Sequence, residues 1–264
     1  MKISVLAENT ACDNLFDCEH GLSLYIDTGK NKILFDMGQS NLFEKNAEKL
    51  GIDLSEVDIA ILSHGHYDHG GGLKRFLEIN KNAFVYLSKN AFGKYYNGEE
   101  KYIGLDPVLQ NNERLIFVDD IFQIDDRLSL YSCNESKKYF PDNSYGLKVL
   151  QDDTMLPDPF LHEQYLLIKD NDKNVLISGC SHKGVLNISR WFSPDVFVGG
   201  FHLSKLDVSK KDDEKFLHQS SELLMNCATK YYTCHCTGKE QFDFMKKIME
   251  NQIEYISTGK TIII

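Results

Sequence analysis

Short apolar runs bounded by polar turn residues recur along the chain. "KISVLAEN", "LSLYIDTG" and "KILFDMG" predict three strands, the last two joined into a hairpin by Gly29-Lys30-Asn31-Lys32. Apolar spacing then turns helical in "NLFEKNAEKLGI", which ends at a glycine, and "VDIAILSH" predicts a buried strand. Between residues 83 and 150 the strand-like pieces "FVYLS", "RLIFVDD" and "LSLYS" are separated by loops rich in Asn, Asp, Gly and Lys. The second half repeats the grammar of the first. "EQYLLIKDNDKNVLISGCSH" predicts a hairpin, "PDVFVGGFHL" a strand, "DEKFLHQSSELLMNCATK" an amphipathic helix, "YYTCHCTG" a strand, "KEQFDFMKKIME" a helix and "KTIII" a terminal strand. There is no Pro/Gly/Ser-rich linker and no fixed-period repeat, although the similar strand order of the two halves hints at an internal duplication. The pattern predicts an α/β fold in one domain over 1–264, with two sheets inside and helices outside.

Histidines fall where these strands end. Ser63-His64, Gly179-Cys180-Ser181-His182, Gly200-Phe201-His202 and Cys234-His235-Cys236 each follow an apolar run and carry or abut glycine. Strands sharing an orientation would bring the four exits to one rim, where α/β proteins tend to place ligand sites.

The densest exit is "HGHYDHGGG". His64 and His66, two apart, point to the same side of an extended exit and can clamp one ion; Asp68 and His69, at the turn, can serve a second. Gly70, Gly71 and Gly72 are expected to let the backbone approach the metals and take conformations closed to bulkier residues. Imidazole with carboxylate suits zinc, iron or manganese better than calcium or magnesium. Left as mere loop residues, so many buried imidazoles and a carboxylate would lack partners.

"HGHYDHGGG" resembles the His-x-His-x-Asp-His signature of the metallo-β-lactamase superfamily. "GCSHKGVLN", "GGFHL" and "HCTG", in that order, resemble the branch of small metal-dependent hydrolases that includes the archaeal dihydropterin ribofuranosyl-aminobenzene phosphate synthase. The resemblance implies a four-layer αββα sandwich with two divalent metal ions, zinc ahead of manganese or iron. It implies that His64, His66 and His182 hold the first ion and Asp68, His69 and His235 the second, with Asp36 supporting the ligands from behind. Ser178-Gly179-Cys180 stands where the superfamily commonly has a bridging aspartate. Cys180 is therefore a bridging thiolate, or a buried thiol beneath a bridging water. His202 is a ligand, a proton donor to the leaving group or a substrate contact. His162 lies just before a strand where many members place a metal histidine, but this branch is not expected to use it.

Other side chains carry weaker expectations. Cys234 and Cys236 flank His235 in strand alternation and should both point away from the side it faces. His20 and His218 are read as a loop residue and a helix-face residue without roles, and Cys12 and Cys18 as ordinary thiols. Lys183 and Lys205 are candidate phosphate contacts.

Two such ions lower the pKa of a bridging water from 15.7 to about 7, making hydroxide available at neutral pH. Hydrolysis of a small phosphorylated or cyclic-phosphate substrate follows, pterin-related compounds among the candidates, with Asp68 orienting the nucleophile. The alternatives are a di-iron oxidoreductase, which would carry a carboxylate at His66, and a nuclease. A formal charge of -10 disfavours nucleic acid and anionic membranes as partners. The partner expected is a small anionic molecule drawn to the metals. Seven cysteines, an odd count at irregular spacing, and the lack of a long apolar stretch or a signal-like start predict a cytoplasmic protein with free thiols. Substrate specificity is assigned to the rim, above all residues 90 to 160, which carry no legible motif; the oligomeric state is not legible either.

Overall fold

Strand faces in this chain alternate between two different cores. Ile3 and Val5, Leu24 and Ile26, Ile33 and Phe35, Ile59 and Ile61 share one face, where they meet Leu166 and Ile168, Val175 and Ile177, Val196 and Val198. The residues between them face outward onto helices. Such strands, buried on both sides, read as nearly continuous apolar runs rather than as alternating ones.

The computed structural model describes residues 1–142 and 145–264. Among these residues the strands form two seven-stranded sheets and one of four. The first runs Thr261–Ile263, Lys2–Ala7, Ser23–Asp27, Lys32–Phe35, Ile59–Ile61, Phe84–Ser88, Leu115–Val118 from edge to edge. The second runs Ile253–Tyr255, Lys230–Thr233, Val196–Gly199, Lys173–Ile177, Tyr165–Asp170, Leu128–Tyr131, Ile121–Gln123. Each has three antiparallel and three parallel neighbour pairs in succession, the common grammar of the two halves.

Outside the first sheet, Leu34, Ala60 and Val85 pack on helices Leu42–Lys49 and Leu73–Ile79 through Phe43, Ala47 and Phe76. Outside the second, Leu176, Phe197 and Tyr231 pack on helices Val185–Phe192, Lys211–Met225 and Lys239–Met249 through Ile188, Leu217 and Met245. The layers are helix, sheet, sheet, helix, the four-layer αββα sandwich expected from sequence. No helix among the described residues is long and apolar enough to cross a membrane.

The segment 90–160 builds more than loops. Lys94–Asn97, Lys101–Tyr102, Leu147–Gln151 and Thr154–Pro157 form the small third sheet, with its own cluster of Tyr95, Ile103, Leu147 and Phe160. These strands are short and largely exposed, so the apolar pattern that marks the other sheets is weak in them. Residues 143 and 144 of this segment lie outside the described residues.

The topology also aims the chemistry. Lys32–Phe35 and Ile59–Ile61 run parallel in the first sheet, as do Lys173–Ile177, Val196–Gly199 and Lys230–Thr233 in the second. Their carboxyl ends deliver Asp36, His64, His182, His202 and His235. Because Phe35 is fully buried between the sheets, Phe35→Ala should cost about 3–5 kcal/mol of stability. Equilibrium denaturation with urea measures it, and a loss below about 1 kcal/mol would contradict the inter-sheet packing.

Candidate metal centre

Asp36 ends its strand in the left-handed region, at φ 59°, and is fully buried. Its carboxylate accepts three donors: Ser63 N–H at 2.7 Å, Ser63 Oγ–H at 2.7 Å and His69 Nδ1–H at 2.6 Å. With its own hydrogen committed to Asp36, Ser63 Oγ accepts from His64 Nδ1, 2.8 Å away. One carboxylate thus fixes both His64 and His69 as the tautomer whose Nε2 carries the lone pair.

The second sheet supplies its histidines in the same way. His235, also left-handed at φ 51°, donates its backbone N–H to Glu8 Oε1 at 2.6 Å and its Nδ1–H to Asn9 Oδ1 at 2.7 Å. Glu163 Oε1 accepts His182 N–H at 2.7 Å, and its Oε2 accepts Lys183 N–H at 3.0 Å and the Tyr165 hydroxyl at 2.6 Å. Glu8 and Glu163 are both fully buried. They hold the loops, as Asp36 holds the rings.

The free ring nitrogens converge. His64 Nε2 lies 3.3 Å from His182 Nε2, and His69 Nε2 lies 3.2 Å from His235 Nε2 and 3.2 Å from Cys180 Sγ. Asp68 Oδ2 lies 3.5 Å from His235 Nε2 and 3.9 Å from His69 Nε2. Ligand atoms of His64, His66 and His182 fall within 4.8 Å of one another, as do those of His64, His69 and Cys180.

Electrostatics favour a cation here. Burial, with His69, His66 and His182 alongside, holds His64 well below the ordinary imidazole range; burial and His202 do the same to His182. Burial brings His66 down to about 4 against the pull of Asp158. These rings are neutral, with lone pairs to offer. His69 is the exception: burial opposes its charge, but Asp36 and Asp68 raise it to about 9. Burial raises Asp68 too, yet His69, His20 and His235 hold it well below the usual carboxylate range. His69 and His235 both spend their Nδ1 hydrogens elsewhere, so two lone pairs would face each other across 3.2 Å. That contact is tolerable only with a proton or another cation between them. The donor set fits divalent metal.

The family description of the metallo-β-lactamase superfamily matches residues 17–197. The chain belongs to that superfamily. Over 99% of its length and 96% of the relative's, it is 30% identical to the 7,8-dihydropterin-6-methyl-4-(β-D-ribofuranosyl)-aminobenzene-5'-phosphate synthase of Methanocaldococcus jannaschii. It is also 30% identical to an uncharacterized protein of that organism, over 98% of this chain and 99% of the other. A crystal structure described as a metal-dependent hydrolase of the β-lactamase superfamily superposes with a TM-score of 0.80 at 32% identity, covering 100% of this chain and 99% of that one. Divalent metals are bound in this superfamily, and the histidine clusters are this member's candidate ligands.

Several sequence expectations change within this metallo-β-lactamase centre. The three glycines are not in the left-handed region, and they do not serve approach to a metal. A Cβ on Gly71 would sit 2.3 Å from the Gln39 carbonyl, and one on Gly72 would sit 2.3 Å from that of Met37. They let the first motif pack on the neighbouring loop. Cys234 does lie in the inter-sheet core, but the 3-10 turn His235–Thr237 breaks strand alternation. Cys236 therefore turns into the cleft, its Sγ 3.4 Å from the Cys180 carbonyl. Lys183 points away from the cleft. Its buried Nζ donates to Ser132 O and Asn134 Oδ1, each at 2.7 Å, and to Glu163 O at 3.2 Å. Lys205 does line the cleft, with Lys101 opposite in the small sheet.

His20 is closer to the chemistry than its loop position suggests. Its Nε2 lies 3.2 Å from Asp68 Oδ2, and Asn9 joins its Nδ1 to the His235 ring. His162 accepts from Gly65 N–H at 2.8 Å and donates toward Asp158 Oδ2 at 3.1 Å. Both its nitrogens are engaged, which leaves none for a metal, and Asp158 in turn lies 3.9 Å from His66 Nε2. Glu8 and Asn9 were missed in the sequence although they follow an apolar strand as the histidines do. His202, at φ 54°, leaves both buried ring nitrogens without a hydrogen-bond partner and lies 4.2 Å from the His182 ring.

Three outcomes follow for metal uptake. Asp36→Asn turns an acceptor of three donors into a group that also donates, and should weaken metal affinity about 10- to 100-fold. Competition with a chromogenic chelator reads it. At pH 7 His69, with its pKa raised to about 9, keeps a proton that an incoming ion must expel. From His69 alone, apparent affinity should therefore rise with pH, roughly tenfold per unit, up to about pH 9, and a ligating Cys180 would steepen that slope. Burial and then Cys236 push the Cys180 thiol up, so it too enters protonated. If Cys180 ligates, calorimetry in buffers of different ionisation heat will count about one proton fewer released by Cys180→Ala. Equal counts would make Cys180 a packing residue.

Proposed function

We propose that this protein is a metal-dependent hydrolase with a dinuclear centre. His64, His66 and His182 would hold one divalent ion and Asp68, His69 and His235 the other, with Cys180 as a further candidate ligand. The observation that carries this reading is the set of buried rings turned by Asp36, Ser63 and Asn9 so that their lone pairs face one another. When bound, such ions supply Lewis acidity and a water ionised near neutral pH. Zinc suits the imidazole-rich donor set, with manganese or iron as the next candidates.

The chain's own residues do the rest. Asp68, kept ionised by its histidines, orients the attacking water through the carboxylate oxygen that faces the centre. His202, whose ring lies beside His182 and Cys236, gives a proton to the leaving oxygen. Lys101 and Lys205 line the same cleft of about 280 Å³ and draw in an anion that the -10 charge of the chain would otherwise repel. The substrate class we favour is a small phosphoester or cyclic phosphate, with pterin-related compounds suggested by the archaeal relative. A di-iron oxidoreductase is less well supported, because His66 brings an imidazole where that reading wants a carboxylate. A nuclease is disfavoured by the acidic charge. Seven free thiols suit the reducing cytoplasm.

Zinc-loaded protein should hydrolyse bis-p-nitrophenyl phosphate. Asp68→Ala should lower kcat by about 10²- to 10⁴-fold. His202→Ala should lower kcat by about 10²-fold while metal content, read by plasma emission, stays at the wild-type level. Loss of an ion from His202→Ala would make His202 a ligand instead. Absence of turnover in metal-replete protein across phosphodiester, phosphomonoester and cyclic-phosphate substrates would overturn the hydrolase reading.

A further inference from the structure

Beside the cleft over the centre, on the other side of His182 and His202, lies a second cavity of about 300 Å³, a size typical of ligand pockets. His182 and His202 line both spaces, so they form the partition between them. The linings differ in kind. The metal cleft carries Lys101, Lys205, Asn97 and Ser204, whereas no Lys or Arg lines the second cavity among the described residues. Its walls include the rings of Phe140, Tyr145, Phe201 and Phe216 and the aliphatic side chains of Val185 and Leu186.

Two carboxylates interrupt this apolar surface. Asp142 is ion-paired with Lys138. Asp213 is half-buried and fixed by a hydrogen bond from Asp207 N–H to its Oδ2 at 2.9 Å. A carboxylate facing an apolar space accepts hydrogen bonds and repels anions, so a phosphate there would be opposed and a hydrocarbon would leave Asp213 desolvated. A flat ring that carries N–H donors satisfies both surfaces.

We propose that this cavity seats the non-reacting part of the substrate, a planar nitrogen-containing aromatic ring whose N–H groups donate to Asp213, while its phosphoester end lies over the centre beside Lys101 and Lys205. The assignment rests on the hydrolase reading above for what happens at the phosphoester, but ring binding itself needs no turnover. His202 then stands between ring and phosphorus, where a proton donor to the leaving oxygen belongs. Its left-handed backbone, uncommon for a non-glycine residue, is the local distortion that sets the side chain at this junction.

The probe is 2-aminoquinazolin-4-one, a bicyclic ring with N–H and amino donors and no phosphate; quinazoline is the control without donors. Calorimetry on the zinc-loaded full chain should show the aminoquinazolinone binding at least about tenfold more tightly than quinazoline. Leu186→Trp fills the cavity from a half-buried position and should weaken binding of the aminoquinazolinone by about tenfold or more. Phe216→Ala removes one wall at a position 36% exposed, without burdening the core, and should weaken both rings. Asp213→Asn should cost the aminoquinazolinone about tenfold and leave quinazoline unchanged. Equal binding of the aminoquinazolinone to wild type, Leu186→Trp and Phe216→Ala, or no binding to wild type, overturns the proposal. The two readings fail separately. Ring binding without hydrolysis of bis-p-nitrophenyl phosphate sinks the hydrolase alone, and hydrolysis without ring binding sinks the subsite alone.

Discussion

The site depends on one buried carboxylate that accepts three hydrogen bonds. Asp36 receives the Ser63 amide, the Ser63 hydroxyl and the His69 ring, and through Ser63 it also sets the His64 ring. Each bond alone is worth a modest amount, but in a dry environment an unpaired carboxylate is so costly that the three donors have no competing arrangement. The result is directional: two imidazoles are locked with Nε2 turned outward from the first sheet toward the second. Asn9 does the same for His235 across the gap. A centre built this way is organised before any ion arrives, and what an ion must still displace is the proton that His69 retains and, if Cys180 ligates, that of its thiol.

Backbone distortion accompanies that organisation. Asp36, Ser181, His202 and His235 all adopt left-handed conformations at strand exits. Such conformations cost of order 1–3 kcal/mol each for non-glycine residues. They turn the chain sharply at the sheet edge, so that the residue after a strand points its side chain across the rim rather than along it. The two apolar cores beneath hold the strands rigidly enough to sustain this.

How much of this was legible in the sequence differs by element. Most strands of the two large sheets are apolar runs, so two sheets with helices outside could be read from the pattern, and the family resemblance supplied the four layers. The short edge strands Ile121–Gln123 and Ile253–Tyr255 and the helices Leu73–Ile79 and Val185–Phe192 are elements that this reading did not contain. The histidines stood out because imidazole is rare and their context recurs. Glu8, Asn9, Ser63 and Glu163 did not stand out: as residue types they are common at strand ends, and only the fold shows that each meets a histidine from a distant stretch. Cys236 was misread because the 3-10 turn after Cys234 breaks the two-residue alternation that the apolar pattern implied. The small sheet was missed for the opposite reason, since strands such as Lys94–Asn97 bury too little to carry a period.

An acidic chain that attracts an anion needs its positive charge concentrated where the anion reacts. Here Lys101 and Lys205 line the same cleft as the candidate metal ligands, while the carboxylates that support those ligands, Asp36, Glu8, Glu163 and Asp158, are turned to hydrogen-bond donors and buried. Among the described residues, Asp68 is the one acid that lines the cleft, with three histidines around it. The same separation of charge extends into the neighbouring cavity, where Asp213 and apolar walls replace lysines. Under the proposed reading, a molecule with one anionic and one apolar end would be oriented by these unlike linings, with His182 and His202 between its two parts. Orientation by opposed linings is a form of specificity that needs no conformational change, and it follows from where the strand ends fall.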